Sequence, residues 1–309
     1  VSTTPLSALA EENKNIADYP TEAYLRRARE LYFASISFVD YNIGKILQQL
    51  EDMGEYDNTL IIFTSDHGEM LGDYGTYQTF LPYDSSARVP LIVRYPEVFK
   101  GGEVDRRFVD LNDILPTVLD AAGVAYPNPA ILPGESVLKK SGFKDRTKQY
   151  VEHAHGSRRW ASIRNGQYKY TYYYGGGKEE LFDLTNDPDE TTNLLEAQET
   201  CECLRQSFPS ESVSAVREEL HAALVEQEKR YGLEGYVKND ELVVLDEMQP
   251  SFYREDNPPM FPKEQDEDFV SLEEEVARAI AKEEVVKLSE LDVPYFTKSG
   301  TLSEEKLKK

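Results

Sequence analysis

The sequence predicts an α/β fold, with a mostly parallel sheet flanked by helices and a small antiparallel subdomain after it. Three observations carry this expectation. Two short apolar runs, Leu60 to Phe63 and Val89 to Val93, have the length and character of strands buried on both faces. Upstream of them, Tyr32, Ile36, Val39, Ile43, Leu47 and Leu50 recur at the i, i+3 and i+4 spacing of one helix face. Downstream, Tyr168, Tyr170, Tyr172 and Tyr174 alternate with period two and run into Gly175-Gly176-Gly177, a hairpin signal.

In chain order, Val1 to Pro20 carry no periodic pattern and read as loop. A helix is expected from about Thr21, with Gly54 as its stop, and Asp40 interrupts its stripe as an internal hydrogen-bonding carboxylate. Thr59 to Thr64 forms a strand that ends at Ser65-Asp66-His67-Gly68, and the next strand follows Arg88. A further helix begins near Leu111, with Pro116 in its first turns and Gly123 just past its end. Alternating strands and helices of this kind indicate helices on the faces of a sheet. The segment from Pro127 to Arg146 carries three prolines and reads as a connection between subdomains.

Four short strands then follow, Gln149 to His153, Trp160 to Arg164, Tyr168 to Tyr174 and Glu180 to Leu184, covered by a helix from roughly Ser212 to Tyr231. The tyrosine row reads as packing. Beyond Gly235, Pro250 to Asp268 is acidic and rich in proline. Ser271 with Glu274 forms a capping box before an acidic amphipathic helix. These shifts divide the chain at about 1–145, 146–235 and 236–309.

Composition narrows the function classes. With 40% hydrophobic and 11% aromatic residues over 309 positions, the chain can bury a sizeable core. A net charge of −23 argues against nucleic acid or an anionic membrane surface as partner, and any anion site must therefore be local. No apolar stretch approaches the ~20 residues of a membrane span. Cys201 and Cys203 are too close in sequence for an unstrained bridge, so a disulfide framework is excluded and the compartment and oligomeric state stay open.

Asp66 and His67 stand just beyond the carboxyl end of a strand, where ligands gather in open α/β sheets. An Asp-His-Gly triplet alone reads equally as a pair of metal ligands or as a loop with a capping aspartate. The longer pattern is more specific. SDHGEMLGDYG followed by PYDSSARVPLIVRYP resembles the C-terminal half of a sulfatase of the alkaline-phosphatase-like superfamily. FVDLNDILPTVLDAAGV and IRNGQYKYTYYYGGGKEELFDLTNDPDETTNLL continue the resemblance, which runs from about Tyr24 to Leu195. It implies the later part of an alkaline-phosphatase-like sheet and a sulfuric ester hydrolase acting on carbohydrate or aryl sulfates.

The resemblance also assigns roles. Asp66 and His67 match the family's second pair of metal ligands, where the ion is usually Ca2+. Such a hard cation takes six to eight mostly oxygen ligands, so two residues cannot hold it tightly. The family's nucleophile is a formylglycine made from cysteine in a Cys-x-Pro-x-Arg motif, which this sequence does not contain; the expectation is that it lies upstream, with two further aspartate ligands. No catalytic residue is therefore assigned in this chain. The family commonly has a sulfate-reaching lysine six residues after the Gly-Asp aspartate; counted from Asp73, that position is Thr79, and the neighbouring family histidine is Tyr74. A Glu-His pair near the rim of the family's substrate pocket corresponds to Glu152-His153, which makes His153 a substrate-binding candidate. His155 and His221 read as structural.

The expected ligand is a sulfated small molecule or glycan. Two alternatives stay open: a phosphonate monoester or phosphodiester hydrolase of the same superfamily, and a non-catalytic sulfatase-like binding protein. The sequence upstream of Val1 separates them.

Overall fold

The computed structural model describes residues 22–76, 79–126, 128, 131–139, 146–196 and 210–246. All of these lie within one compact unit, Val1–Tyr253. The subdomain boundary expected at 145, both cysteines, and the tail from 247 onward with its proline-rich segment and capping box fall outside the described residues.

Helix α1 (Glu22–Asp52) is the periodic helix read from the sequence. At ~1.5 Å per residue it extends for roughly 45 Å. Its stripe is only partly covered: Tyr32, Ile36 and Val39 are exposed, whereas Ile43, Leu47 and Leu50 are half-buried. Asp40 is exposed rather than internal, because the stripe it interrupts is itself uncovered at that turn.

Strand β1 (Ile61–Thr64) and strand β2 (Leu91–Arg94) pair antiparallel, Ile61 opposite Arg94 and Thr64 opposite Leu91. The expected parallel arrangement does not occur among the described strands, and the reason lies in the connection. A parallel neighbour needs a crossover that carries the chain back along the first strand. The described residues of 65–90 make none: the one α-helix among them, α2 (Asp84–Ala87), is a single turn. They leave and return at the same end of the ribbon, where the Thr64 hydroxyl donates to the Pro90 carbonyl at 2.8 Å.

Burial on both faces is not met either. Leu60, Ile62 and Thr64 share a groove with Ile114 and Val118 of α3 (Ile114–Ala121), while Phe63 and Ile92 are exposed. Pro116 and Gly123 take the expected places in and after α3, and Gly123 has a positive φ. Ahead of that helix Asp110 and Asp113 form a capping box, and the buried Asp113 carboxylate accepts two hydrogen bonds from Arg146, at 2.7 and 2.9 Å.

The second half is a four-stranded antiparallel sheet in sequence order: β3 (Gln149–His153), β4 (Trp160–Arg164), β5 (Tyr168–Tyr173) and β6 (Lys178–Asp183). Period-two alternation gives it two different faces. Ala161, Ile163, Tyr170, Tyr172 and Leu181 form the main core with Val213, Leu220 and Leu224 of α4 (Ser210–Tyr231). The tyrosine row is therefore packing, as its alternation suggested.

The opposite face carries Trp160, Ser162, Lys169, Thr171 and Glu180, all buried. Tyr83, on the 65–90 excursion, packs against Phe182 of β6 and donates to Glu180, so this face meets the excursion. A short hairpin, β7 (Val237–Lys238) and β8 (Glu241–Leu242), follows α4.

Candidate functional site

The excursion between β1 and β2 builds one side of a cavity of about 620 Å³, and the polar-lined face of the second sheet builds the other. Gly68 explains why the excursion closes tightly. Its amide donates to the Ser86 carbonyl at 2.7 Å, and the Glu69 amide donates to Ser85 at 2.9 Å. A Cβ on Gly68 would lie 2.1 Å from the Ser85 oxygen. What requires glycine here is the close approach of two backbones.

Asp66, His67, Thr79 and His153, the four residues singled out from the sequence, all line this cavity. The Asp66 carboxylate is exposed and accepts from the His67 amide at 3.0 Å. That backbone N–H holds its carboxyl below the usual range, against the upward push of desolvation. The His67 ring places Nδ1 2.9 Å from the Gly68 carbonyl, which can only accept. In the neutral ring Nδ1 therefore carries the proton, and the lone pair is on Nε2.

Nε2 lies 3.6 Å from the second Asp66 oxygen. An ion at ~2.4 Å from both atoms would see them at roughly a right angle, an ordinary angle for a hard cation. The pair thus fits two positions of a coordination shell. Among the described residues, no group of three or more His, Cys, Asp or Glu side chains could hold a metal.

Thr79 is half-buried, and its carbonyl accepts from the Ser86 hydroxyl. Tyr74 goes elsewhere. Its ring stacks on Tyr83 at 4.3 Å and its hydroxyl donates to the Asp189 carbonyl, so it joins the excursion to the second half and does not line the cavity. His155 is exposed; His221 lies on α4 with its Nδ1 2.9 Å from the Tyr170 hydroxyl. Neither lines the cavity, in keeping with structural roles.

His153 stands at the end of β3 between two other rings. Its centroid is 5.4 Å from Phe80 and 5.8 Å from Trp160. Burial pushes the imidazole below its ordinary value, and the nearby Arg158 adds to this. A neutral ring offers the cavity one N–H and one lone pair.

Sequence reasoning missed the charged floor. Lys169, nearly fully buried, pairs with Asp84 at 2.9 Å and Glu190 at 2.7 Å. Arg164 reaches Asp84 at 3.4 Å. Burial pushes the Asp84 carboxyl up, and Lys169, Arg164 and Arg88 more than offset it, so the group stays below its usual range. Arg88 also lines the cavity and is exposed, and its guanidinium has no hydrogen bond or ion pair among the described residues. It was legible as the residue before the second apolar run. Lys169 and Asp84 were not, since they meet across a separation of 85 residues.

Comparison with known proteins agrees with this architecture. A family model described as Sulfatase matches residues 7–124, and one described as N-sulphoglucosamine sulphohydrolase, C-terminal, matches residues 72–219. An arylsulfatase of Clostridium perfringens is 34% identical, over 57% of this chain and 37% of the relative. The structure of BT4656 in complex with its substrate D-glucosamine-2-N,6-O-disulfate is similar at 30% identity and a TM-score of 0.55, covering 65% of this chain and 40% of that one. The phosphonate monoester hydrolase of Agrobacterium radiobacter is similar at 28% identity and a TM-score of 0.52, covering 64% and 41%.

The chain thus spans little more than a third of the length of the arylsulfatase it matches. Two overlapping family models cover residues 7–219 between them, with Asp66 and His67 inside the first and His153 inside the second, and over that span the chain is similar to the sulfatase family.

Proposed function

We propose that this chain supplies part of the active site of a sulfuric ester hydrolase acting on carbohydrate or aryl sulfates. The observation that carries the reading is the convergence of Asp66, His67, Thr79 and His153 on one cavity, from sequence positions up to 87 residues apart (153 − 66). Similarity to the family implies a divalent cation and a formylglycine, and this sequence holds no Cys-x-Pro-x-Arg motif to supply the latter.

In this proposal Asp66 and His67 hold the cation, with Ca2+ as the ion, through one carboxylate oxygen and Nε2. When bound, it supplies positive charge for the sulfuryl oxygens. The cavity's own charges make that requirement plain. Asp66, Asp84, Asp110 and Glu152 give four carboxylates against Arg88, Arg164 and Lys169, a balance of −4 + 3 = −1. A divalent ion turns this to +1, and the cavity then favours an anion.

Of the three cations, Lys169 is committed to Asp84 and Glu190 and Arg164 to Asp84, so Arg88 is the side chain available to a sulfuryl oxygen. Thr79 offers that oxygen a hydroxyl, and neutral His153 offers the ester a hydrogen bond without adding charge. Phosphonate monoester hydrolysis is the second reading, favoured by the similarity to the Agrobacterium enzyme.

Turnover separates them. A sulfate monoester and a phosphonate monoester with the same leaving group are offered to the formylglycine-bearing enzyme, and the sulfate ester is expected to react faster. The reverse order establishes the second reading. Ca2+ titration of Asp66→Ala and His67→Ala, each expected to lose about tenfold or more in affinity, tests the metal assignment; unchanged affinity would remove it.

A further inference from the structure

Phe80 is an apolar side chain in an unusual position. It lines the cavity, yet it is 51% exposed. Its backbone is fixed from behind, because the Trp160 indole N–H donates to the Phe80 carbonyl at 2.8 Å. Its ring is fixed from one side. Phe80, His153 and Trp160 form a tilted row, with interplanar angles of 36° and 31° between neighbours. Trp160 at the far end is only 3% exposed. Phe80 is therefore the most exposed ring of the row.

That geometry selects among ligands. A quaternary ammonium group gains from several aromatic faces placed around it. Here neighbouring rings are tilted by only 36° and 31°, so they do not stand around a common point as the walls of a cation cage do. A six-membered ring is different, since it can cover the exposed Phe80 ring and remove water from both surfaces. Phe80 also directly follows Thr79, the residue assigned to the sulfuryl group, and both line the same cavity. A ring resting on Phe80 therefore shares that cavity with the sulfate, as the leaving alcohol must.

We propose that Phe80, backed by His153 and Trp160, is the platform for the leaving alcohol, and that the cavity takes sulfate esters of ring-bearing alcohols over acyclic ones. The ring is a pyranose or an aryl group, which share the flat apolar face. This deepens the sulfate-ester reading and rests on it.

Trp160 is the single tryptophan of the 309 residues, so its fluorescence reports on the cavity. The chain is titrated in Ca2+ buffer with N-acetylglucosamine 6-sulfate, phenyl sulfate, choline sulfate and inorganic sulfate, as wild type, Phe80→Ala and Phe80→Tyr. The ring-bearing esters are expected to bind about fivefold or more tightly than choline sulfate. Phe80→Ala abolishes that preference and Phe80→Tyr keeps it, while affinity for inorganic sulfate is the same in all three. The stronger of the two ring esters identifies the alcohol.

The proposal is overturned if choline sulfate binds the wild type as tightly as the ring esters, or if Phe80→Ala keeps the preference. It is also overturned if Phe80→Ala weakens inorganic sulfate equally, because Phe80 would then be holding the site's shape. In these cases the sulfate-ester reading stands. If no sulfated ligand binds but unsulfated N-acetylglucosamine or phenol does, in a Phe80-dependent way, the sulfate-ester reading falls and the platform stands. A chain that binds none of them refutes both.

Discussion

Replacing Glu180 by glutamine should change how stability depends on pH, and the structure sets the size and sign. Glu180 is 1% exposed, on the face of β6 that meets the excursion. It accepts from the Tyr173 hydroxyl at 2.7 Å and from the Tyr83 hydroxyl at 3.1 Å. Burial pushes its carboxyl up to about 7 from 4.5, and the two tyrosine hydrogen bonds only partly oppose this. The protonated form is thus the one the fold prefers.

A carboxyl whose folded value exceeds its unfolded one contributes stability that is full below about 4.5 and lost as pH rises toward about 7. At ~1.36 kcal/mol per pH unit, a difference of about 2.5 units is worth roughly 3 kcal/mol between those limits. Glutamine has the shape of the protonated acid and no charge to bury. Urea unfolding of wild type and Glu180→Gln should therefore give similar stabilities near pH 4.5. Above pH 7.5 the variant should be the more stable, by up to ~3 kcal/mol. Parallel pH profiles for the two proteins would refute the reasoning, since other titrating groups are common to both and cancel in the difference.

Three further outcomes follow from the site. Gly68→Ala drives a Cβ into the Ser85 carbonyl and parts the backbone bonds at Ser85 and Ser86. It should lower unfolding free energy by about 2–4 kcal/mol and weaken Ca2+ binding; a folded variant with unaltered Ca2+ affinity would contradict the close-approach role. Thr79→Lys adds a cation to the cavity that Arg88 also lines and should raise kcat/KM for a sulfate ester about tenfold in the formylglycine-bearing enzyme. An unchanged rate would mean that Arg88 already fills the role, and Arg88→Ala should then be the damaging change. The 309-residue chain assayed by itself should release no product from an aryl sulfate, having no Cys-x-Pro-x-Arg nucleophile; release abolished by a substitution within the chain would disprove this.

Local periodicity made much of the fold legible, and pairing direction was where it stopped. β3 and β4 lie where the alternation put them, and α1 and α4 begin within a residue or two of their patterns. An apolar run such as Leu60 to Phe63 marks a strand; it overstated the burial of Phe63 and says nothing about which way its neighbour runs. That was decided by the 65–90 connection, held at its neck by Thr64 and Pro90. The site divides in the same way. Asp66, His67 and Thr79 could be read because they sit in one contiguous motif with countable spacing. Asp84, Lys169 and Glu190 could not, because each is an ordinary charged residue until folding buries the three together. The role of Tyr74, which stands where the family has a histidine, was hidden for the same reason: its partner, the Asp189 carbonyl, is 115 residues away.

The second sheet joins these two halves physically. Its tyrosine face is a hydrophobic core with α4, and its other face buries Ser162, Lys169, Thr171 and Glu180, polar groups that must be paired to be tolerated there. Several of their partners are on the excursion: Asp84 for Lys169, Tyr83 for Glu180. The pairing that makes this face stable therefore also fixes Tyr83 and Asp84, four and five residues after Thr79. An alternating strand pattern with polar residues on its buried face thus signals a site wall rather than a failed core. Changes at Lys169 should disturb ligand binding and stability together, whereas changes at Leu220 or Leu224, on the far side of the same sheet, should lower stability first.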